Sequence, residues 1–178
     1  NGAEVMMGTA TFVGPNALEV KGPEGTTRVE ATKGIIIATG SRPLEIPGFK
    51  FDGKKVISAK EAVSLNPIPK RMVIIGGGII GMELGGVYSK LGVETTIVEF
   101  LPSVLASMDA DLVAPVTKAM GKAGVKFITG AKAMGYERLA DGSLRVSLDV
   151  NGAAQTVDAD VVLVAIGMRP NHEGIGLE

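Results

Sequence analysis

The feature that most constrains this chain is a run of glycines between a predicted strand and a predicted helix. The run Gly-Gly-Gly-Ile-Ile-Gly at residues 76–81 fits the pattern G-x-G-x-x-G. It follows the apolar segment at residues 71–75 and opens a segment, residues 79–91, whose apolar side chains recur at helical spacing. A strand that turns directly into a helix presents free N–H groups and the positive end of the helix dipole. The motif therefore predicts a bend that binds the pyrophosphate of a dinucleotide.

The motif glycines have separate expected roles. Gly76 would permit the tight turn, Gly78 would let the pyrophosphate approach the backbone, and Gly81 would let the helix pack closely on the strand. The whole predicted contact stretch consists of Gly76, Gly77, Gly78, Ile79, Ile80, Gly81, Met82 and Glu83. We expect Glu83 in the first helical turn, where stabilisation of the helix dipole is the alternative to a ligand role.

Glu99 supplies the acid that usually accompanies such a loop. It ends the next predicted strand, 18 residues after Gly81. A carboxylate at this point accepts hydrogen bonds from the adenine ribose and repels a 2′-phosphate. Residues 100–102 contain no arginine or lysine to hold that phosphate, so the sequence favours NAD(H) over NADP(H). The alternative is an ordinary glutamate at a strand end, which the complete strand–helix–strand unit disfavours.

Composition excludes several other kinds of protein. The 178 residues include 18 basic and 19 acidic side chains, so no basic surface for nucleic acid is indicated. The absence of cysteine excludes a disulfide scaffold, a thiolate metal site and cysteine catalysis within the chain. The longest apolar run, residues 72–88, is interrupted by glycines and Glu83, so no membrane span is expected. Asp109 and Asp111 are interpreted as helix-start acids, and no metal site is expected.

The remaining pattern predicts an α/β fold with a parallel sheet and a three-stranded β-meander. Strands are expected within residues 4–39, including a buried strand at residues 34–40, and in the segments that begin near Val125 and Asp160. Helices are expected near residues 59–65 and 109–123, and the meander turns at Asp141-Gly142 and Asn151-Gly152.

Two segments of the chain are near-copies of each other. IIIATGSRP at residues 35–43 matches VLVAIGMRP at residues 162–170. This internal repeat predicts two related nucleotide-binding domains. The second is expected to be complete, and the first is expected to have its glycine loop before Asn1. We therefore assign residues 1–66 to the trailing part of a first domain with its connector, and residues 67–178 to the complete domain.

These motifs, in this order, make the chain resemble the pyridine nucleotide–disulfide oxidoreductases, and within that family the dihydrolipoamide dehydrogenases. The resemblance is carried by GGGIIGMELGGVYSKLG, TTIVEF, DVVLVAIGMRPN and the upstream IIIATGSRP. It implies a Rossmann-like NAD-binding domain and a partial FAD-binding domain in residues 1–66. It also implies the cofactors NAD and FAD.

The resemblance assigns further site residues. Glu83 would lie near the nicotinamide, Ala133 would flank the adenine, and Gly167 would lie beside the nicotinamide end. A loop of the flavin domain that contacts FAD would be formed by Thr39, Gly40 and Ser41.

The implied activity belongs to a larger parent protein. Such an enzyme oxidises dihydrolipoyl groups through a redox-active disulfide and FAD, and reduces NAD⁺. Its expected partners are the lipoyl domains of 2-oxoacid dehydrogenase or glycine cleavage complexes and a second subunit in a homodimer. Its expected location is the cytoplasm of a bacterium, or the mitochondrial matrix or plastid of a eukaryote.

Departures from the family pattern limit what this chain could do alone. It has no cysteine pair, no flavin glycine loop and no catalytic His–Glu pair, because its single histidine, His172, does not match that base. The isolated chain is therefore expected to contain no catalytic residue and to be inactive. Two alternatives remain: a different flavoprotein of the family, of the NADH oxidase or mercuric reductase type, or a stand-alone NAD-binding module without turnover.

Overall fold

A computed structural model describes residues 2–177. The described residues form two compact units. The first unit contains the residues up to Arg42 together with those from Arg169 onward, and the second contains Pro43–Met168. Within residues 2–177, no helix is both long enough and apolar enough to cross a membrane.

The second unit is built on a parallel sheet of five strands within the described residues, ordered β5-β12-β6-β7-β8. The strands are β5 (Val56–Ile57), β6 (Arg71–Ile75), β7 (Glu94–Val98), β8 (Lys126–Ile128) and β12 (Val161–Val164). Their β-branched residues favour extended backbone, and burial on both faces makes the strands almost continuously apolar. In register, Val73 lies beside Thr96 on one side and Val162 on the other.

The two faces of this sheet are covered by different elements. Alternate strand residues, among them Ile74 and Ile97, pack with Met82, Tyr88 and Val113 of the helices. The other face packs against an antiparallel meander through residues such as Val146. The helices are α1 (Ala59–Ala62), α2 (Ile79–Lys90) and α3 (Ala110–Lys122), and the meander strands are β9 (Ala131–Arg138), β10 (Leu144–Val150) and β11 (Ala153–Ala159).

The meander confirms the predicted turns. β10 and β11 are joined at Asn151 and Gly152, whose φ angles of 52° and 87° are both positive, as a two-residue type I′ hairpin requires. At the preceding turn, Asp141 accepts hydrogen bonds from the backbone N–H and the hydroxyl of Ser143, at 2.9 and 2.6 Å. The predicted α/β architecture, with a parallel sheet and a three-stranded meander, is therefore confirmed.

The first unit contains a separate antiparallel sheet in the order β1-β2-β3. Its strands are β1 (Thr9–Gly14), β2 (Ala17–Gly22) and β3 (Gly25–Glu30). The short strands β4 (Ser41–Pro43) and β13 (Met168–Pro170) pair with each other. The C-terminal segment also joins β1, because the Phe12 N–H donates to the Ile175 carbonyl at 2.7 Å.

Three details of the sequence prediction are corrected. Residues 34–40 are not a buried strand: no described strand pairs with them, and Ile36 is 93% exposed. A β-branched run becomes a strand only where a neighbouring strand accepts its hydrogen bonds. Asp109 occupies the N-cap position of α3, but its side chain makes no capping hydrogen bond. The helix expected near residues 59–65 ends at Ala62.

Asp52 should make the stability of the second unit pH-dependent. Partial burial opposes its ionisation, but hydrogen bonds from the N–H groups of Val56, Lys54 and Lys55 and from Arg138 outweigh that effect and lower its pKa to about 2. A lowered carboxyl pKa stabilises the fold above the unfolded pKa, and this contribution is lost as the pH falls from about 4 towards about 2. Asp52→Asn should cost about 1 kcal/mol near neutral pH, after allowance for partial exposure.

Urea unfolding followed by circular dichroism tests this expectation. The deficit of Asp52→Asn should shrink as the pH approaches about 3, because the carboxyl of the unfolded wild-type chain is then largely protonated whereas the folded one still ionises. Asp109→Asn is the matched control, since Asp109 is exposed and its side chain does not cap α3. A deficit of constant size at every pH would contradict the assigned role.

Candidate functional site

The glycine motif forms the predicted bend between β6 and α2. Gly76 has a φ of 108°, and a Cβ built there would lie 2.4 Å from the Ala165 carbonyl oxygen. The Gly76 N–H donates to the Val98 carbonyl at 2.8 Å. Both the positive φ and the close approach of the backbone that follows β12 therefore require glycine at this position.

Gly81 and Gly78 differ in what surrounds them. A Cβ on Gly81 would lie 1.9 Å from the Gly76 carbonyl oxygen, so this glycine lets the helix start sit directly against the turn. Gly78 is exposed, has an ordinary φ of −75°, and has no heavy atom within 4 Å of the Cβ position. The structure therefore leaves open space beside the helix N-terminus, where a phosphate would be favoured.

Glu99 connects the bend to the end of β7. One carboxylate oxygen accepts a hydrogen bond from the Gly77 N–H at 2.6 Å, and the other accepts from the Leu101 N–H at 2.7 Å. The side chain is half-buried, directly after the last residue of β7. Each oxygen retains acceptor capacity, so the carboxylate can hold the loop and still accept a hydrogen bond from a ligand hydroxyl.

A cleft of about 960 Å³ opens beside this bend. It lies at the carboxyl ends of β6, β7 and β12, where ligands bind in open α/β sheets, and it extends to the start of β9. Its walls are mainly apolar. The lining residues are Ile46, Pro47, Ile75, Gly76, Gly78, Ile79, Ile80, Val98, Glu99, Phe100, Leu101, Ser107, Ala131, Lys132, Ala133, Met134, Ala165, Ile166 and Gly167.

The cleft brings together about half of the residues that the sequence singled out. Those on its wall are Gly76, Gly78, Ile79, Ile80, Glu99, Ala133 and Gly167. Gly77 is buried outside the cleft lining, and its N–H donates to Glu99. Gly81 and Met82 are also buried, where the helix packs on the sheet. Glu83 is exposed and does not line the cleft. It is also the fifth residue of α2, which begins at Ile79, so it lies beyond the first turn in which it was predicted.

The three residues predicted to contact FAD belong to the first unit. Thr39, Gly40 and Ser41 are exposed. The Thr39 hydroxyl donates to the Asn171 carbonyl, and the Asn171 N–H donates to the Gly40 carbonyl at 3.0 Å. Asn171 also donates through its side-chain amide to the Thr39 carbonyl at 3.2 Å. This loop is therefore held by a segment that lies about 130 residues later in the chain.

An ion-pair cluster supports the same loop. Arg42 donates to both carboxylate oxygens of Glu173, at 3.0 and 2.8 Å, and to the Asn171 side-chain oxygen at 2.9 Å. Arg169 contacts Glu173 at 3.0 Å. The hydrogen bonds from Arg42 lower the pKa of Glu173 to about 2. Arg42 and Arg169, the equivalent arginines of the two near-copy segments, thus both contact the Glu173 carboxylate. The sequence did not predict this role.

Several cleft residues were not predicted from the sequence, because no motif marks them: some adjoin Glu99, Ala133 or Gly167, and Ile46 and Pro47 come from a distant part of the chain. They are Ile46, Pro47, Phe100, Leu101, Ser107, Lys132, Met134, Ala165 and Ile166. Lys132 is the most consequential of them for nucleotide binding, because it places a cation in the cleft although residues 100–102 supply none. Among residues 2–177, no three histidine, cysteine or acidic side chains are placed to share a metal ion.

Comparison with known proteins gives a consistent result. The profile of the family described as pyridine nucleotide-disulphide oxidoreductase matches residues 1–178. Dihydrolipoyl dehydrogenases are similar over the whole chain: the mitochondrial enzyme of Schizosaccharomyces pombe is 42% identical, and the dihydrolipoyl dehydrogenase of Geobacillus stearothermophilus is 40% identical. This chain spans only 35% and 37% of the length of those two relatives.

Solved structures show the same fold. LpdA from Mycobacterium tuberculosis has a TM-score of 0.80 and 26% identity, over 95% of this chain and 37% of its own. The HOCl-induced flavoprotein disulfide reductase RclA from Escherichia coli, in its Cu(II) complex, has a TM-score of 0.74 and 25% identity, over 94% of this chain and 37% of its own.

The contact between Gly81 and Gly76 yields a testable expectation for stability. Gly81→Ala should destabilise the chain by about 3 kcal/mol, because backbone at the bend cannot make room for the added methyl group. Gly86→Ala is the control within the same helix, since its Cβ would meet only the terminal methyl of Met120, at 3.8 Å. That control should gain about 0.5–1 kcal/mol from helix propensity. Equal unfolding midpoints for the two variants in urea would contradict the proposed packing.

Proposed function

The chain belongs to the pyridine nucleotide-disulphide oxidoreductase family, and we propose that it is the NAD-binding segment of a flavoprotein dihydrolipoamide dehydrogenase. The observation that carries this proposal is the pairing of the glycine bend with Glu99 at the mouth of an apolar cleft. The similarity of the whole chain to dihydrolipoyl dehydrogenases supports the same conclusion.

The residues at the bend suit a dinucleotide. The open space beside Gly78 and the N-terminus of α2 would receive the pyrophosphate on backbone N–H groups. Glu99 would accept hydrogen bonds from the adenine ribose. The small side chain of Ala133, on β9, would leave room for the adenine against the apolar wall. This division of roles is that of a Rossmann-type site.

The opposite end of the cleft would receive the nicotinamide. Gly167 lines this part and accepts a hydrogen bond at its carbonyl from the Leu44 N–H at 3.0 Å. NAD, when bound, supplies hydride acceptance. The chain's own residues bind the nucleotide and orient it, and the apolar wall excludes water from its ring. A role for Glu83 near the nicotinamide stays a prediction, because its side chain is exposed outside the cleft lining.

The rest of the activity is proposed for the longer protein. Thr39, Gly40 and Ser41 would contact FAD, and the rigid hydrogen bonding of their loop to Asn171 suits that role. Residues 1–66 would then be part of a flavin domain and residues 67–178 the NAD domain. The redox disulfide would come from outside this chain, which has no cysteine. Dihydrolipoyl groups on lipoyl domains would be the reductant, and a homodimer the working form.

The relatives indicate where the longer protein would be located in the cell. They include proteins named as mitochondrial and proteins of bacteria. We propose the bacterial cytoplasm, with the mitochondrial matrix or a plastid as the eukaryotic equivalents.

A second candidate function is a different disulfide reductase of the same family. The similarity to RclA, at 25% identity, supports this second candidate. The arrangement of cysteines in the full-length protein distinguishes the two, since lipoamide oxidation needs a close cysteine pair. A chain that binds NAD without turnover would be identified by the absence of bound flavin and of diaphorase activity in the native protein.

Titration with NADH, followed by nucleotide fluorescence, tests the proposed site. Gly78→Ala should weaken NADH binding about tenfold or more, because the new methyl group would occupy space needed by the pyrophosphate. Gly121→Ala is the matched control, since its Cβ also meets nothing within 4 Å but lies on α3, outside the cleft lining. Wild-type affinity in Gly78→Ala would refute the assigned position of the pyrophosphate.

A further inference from the structure

The cleft contains one cation that the proposed function does not use. Of the described residues that line it, only Glu99 and Lys132 carry a full charge. The remaining wall is largely apolar, formed by residues such as Phe100 and Met134. A single lysine and a single glutamate therefore determine the electrostatic character of the site, because few other charges screen them there.

Lys132 lies at the Glu99 end of the cleft. The N–H of Ala131, the first residue of β9, donates to the Glu99 carbonyl at 2.9 Å, and Lys132 is the next residue. The start of β9 is thus fixed against the residue proposed to hold the adenine ribose. Both Lys132 and Ala133 line the cleft at this point.

Lys132 forms no ion pair with any described residue. Its cross-strand neighbour on β10 is Asp149, whose carboxylate instead accepts a hydrogen bond from the Gly152 N–H at 2.7 Å. Lys126, by contrast, pairs with Glu94 at 2.6 Å. The ammonium group of Lys132 therefore remains available to an anionic group of a ligand.

We propose that Lys132 is a specificity-determining residue that offers a positive charge to the 2′-phosphate of NADP(H). This inference rests on the proposed nucleotide site. Glu99 repels a 2′-phosphate, and Lys132 attracts it from the start of β9, which is hydrogen-bonded to Glu99 through Ala131. The two effects partly offset each other. The chain consequently prefers NAD(H) by a modest factor, and NADP(H) is a weaker second ligand of the same cleft.

The alternative partner for Lys132 within the same ligand is the pyrophosphate. That group is common to NADH and NADPH, so loss of a pyrophosphate contact would weaken both nucleotides equally. A contact with the 2′-phosphate weakens only NADPH. The ratio of the two dissociation constants therefore identifies the group that Lys132 meets.

Dissociation constants for NADH and NADPH should be measured on the 178-residue chain and on Lys132→Met. The variant should bind NADH with unchanged affinity and NADPH about fivefold more weakly, as expected for the loss of one charge-assisted contact. Lys118→Met is the control, because Lys118 is an exposed lysine of α3 outside the cleft lining. Added salt should weaken NADPH binding more than NADH binding in the wild type, and this difference should shrink in Lys132→Met.

Glu99→Gln provides the complementary measurement. It should lower the ratio of the NADPH to the NADH dissociation constant, because the repulsion of the 2′-phosphate is removed, and Lys132→Met should still weaken NADPH binding selectively in this background. Equal changes in both nucleotides, or none, on replacing Lys132 would overturn the inference while leaving the nucleotide site intact. Failure of the wild-type chain to bind either nucleotide would instead overturn the proposed function.

Discussion

The hydrogen bond from the Gly77 N–H to the Glu99 carboxylate is the interaction on which the site depends. It joins the turn after β6 to the end of β7, two parallel strands already in register at Ile75 and Val98. Because an ionised acceptor makes a short and strong hydrogen bond, the turn is held in one conformation. The first N–H groups of α2 have no acceptor within the helix, so they would be available to a phosphate at this end of the cleft. One carboxylate thus both shapes the proposed phosphate site and stands where we propose that the ribose binds.

The sheet explains why a single cleft collects residues from distant parts of the chain. Its helices cover one face and its meander covers the other, so the carboxyl ends of the strands are left open between the two layers. β9 leaves this edge immediately after β8 and brings Lys132 and Ala133 to the cleft wall. β12 adds Ala165 and the residues that follow it. The proposed phosphate end is therefore local in sequence, whereas other parts of the cleft wall come from segments about 55 and 90 residues after the glycine motif.

Much of this architecture could be predicted, and the exceptions have physical causes. The strands of the parallel sheet are mostly apolar and the meander turns carry Asn-Gly and Asp-Gly, so local pattern and final structure agree. Residues 34–40 have the same apolar character but no described strand beside them, and their backbone stays irregular. The position of Glu83 was misjudged because the helix begins at Ile79, inside the glycine motif, which makes Glu83 its fifth residue. Arg42 pairs with Glu173 across about 130 residues, which no local pattern encodes, whereas Arg169 lies only four residues before Glu173.

The amino-acid sequence by itself determined the bend, its three glycines and the acid that follows, because strand propensity, glycine's freedom at positive φ and the spacing of the motif are properties of short segments. It also determined the family to which the chain belongs. Only the tertiary structure decided that Glu99 grips the loop through Gly77, that Glu83 lies outside the cleft lining, and that Lys132 lies inside it. The physical reason is that electrostatic neighbours are set by distance in space, and strand pairing brings together charges that lie far apart along the chain.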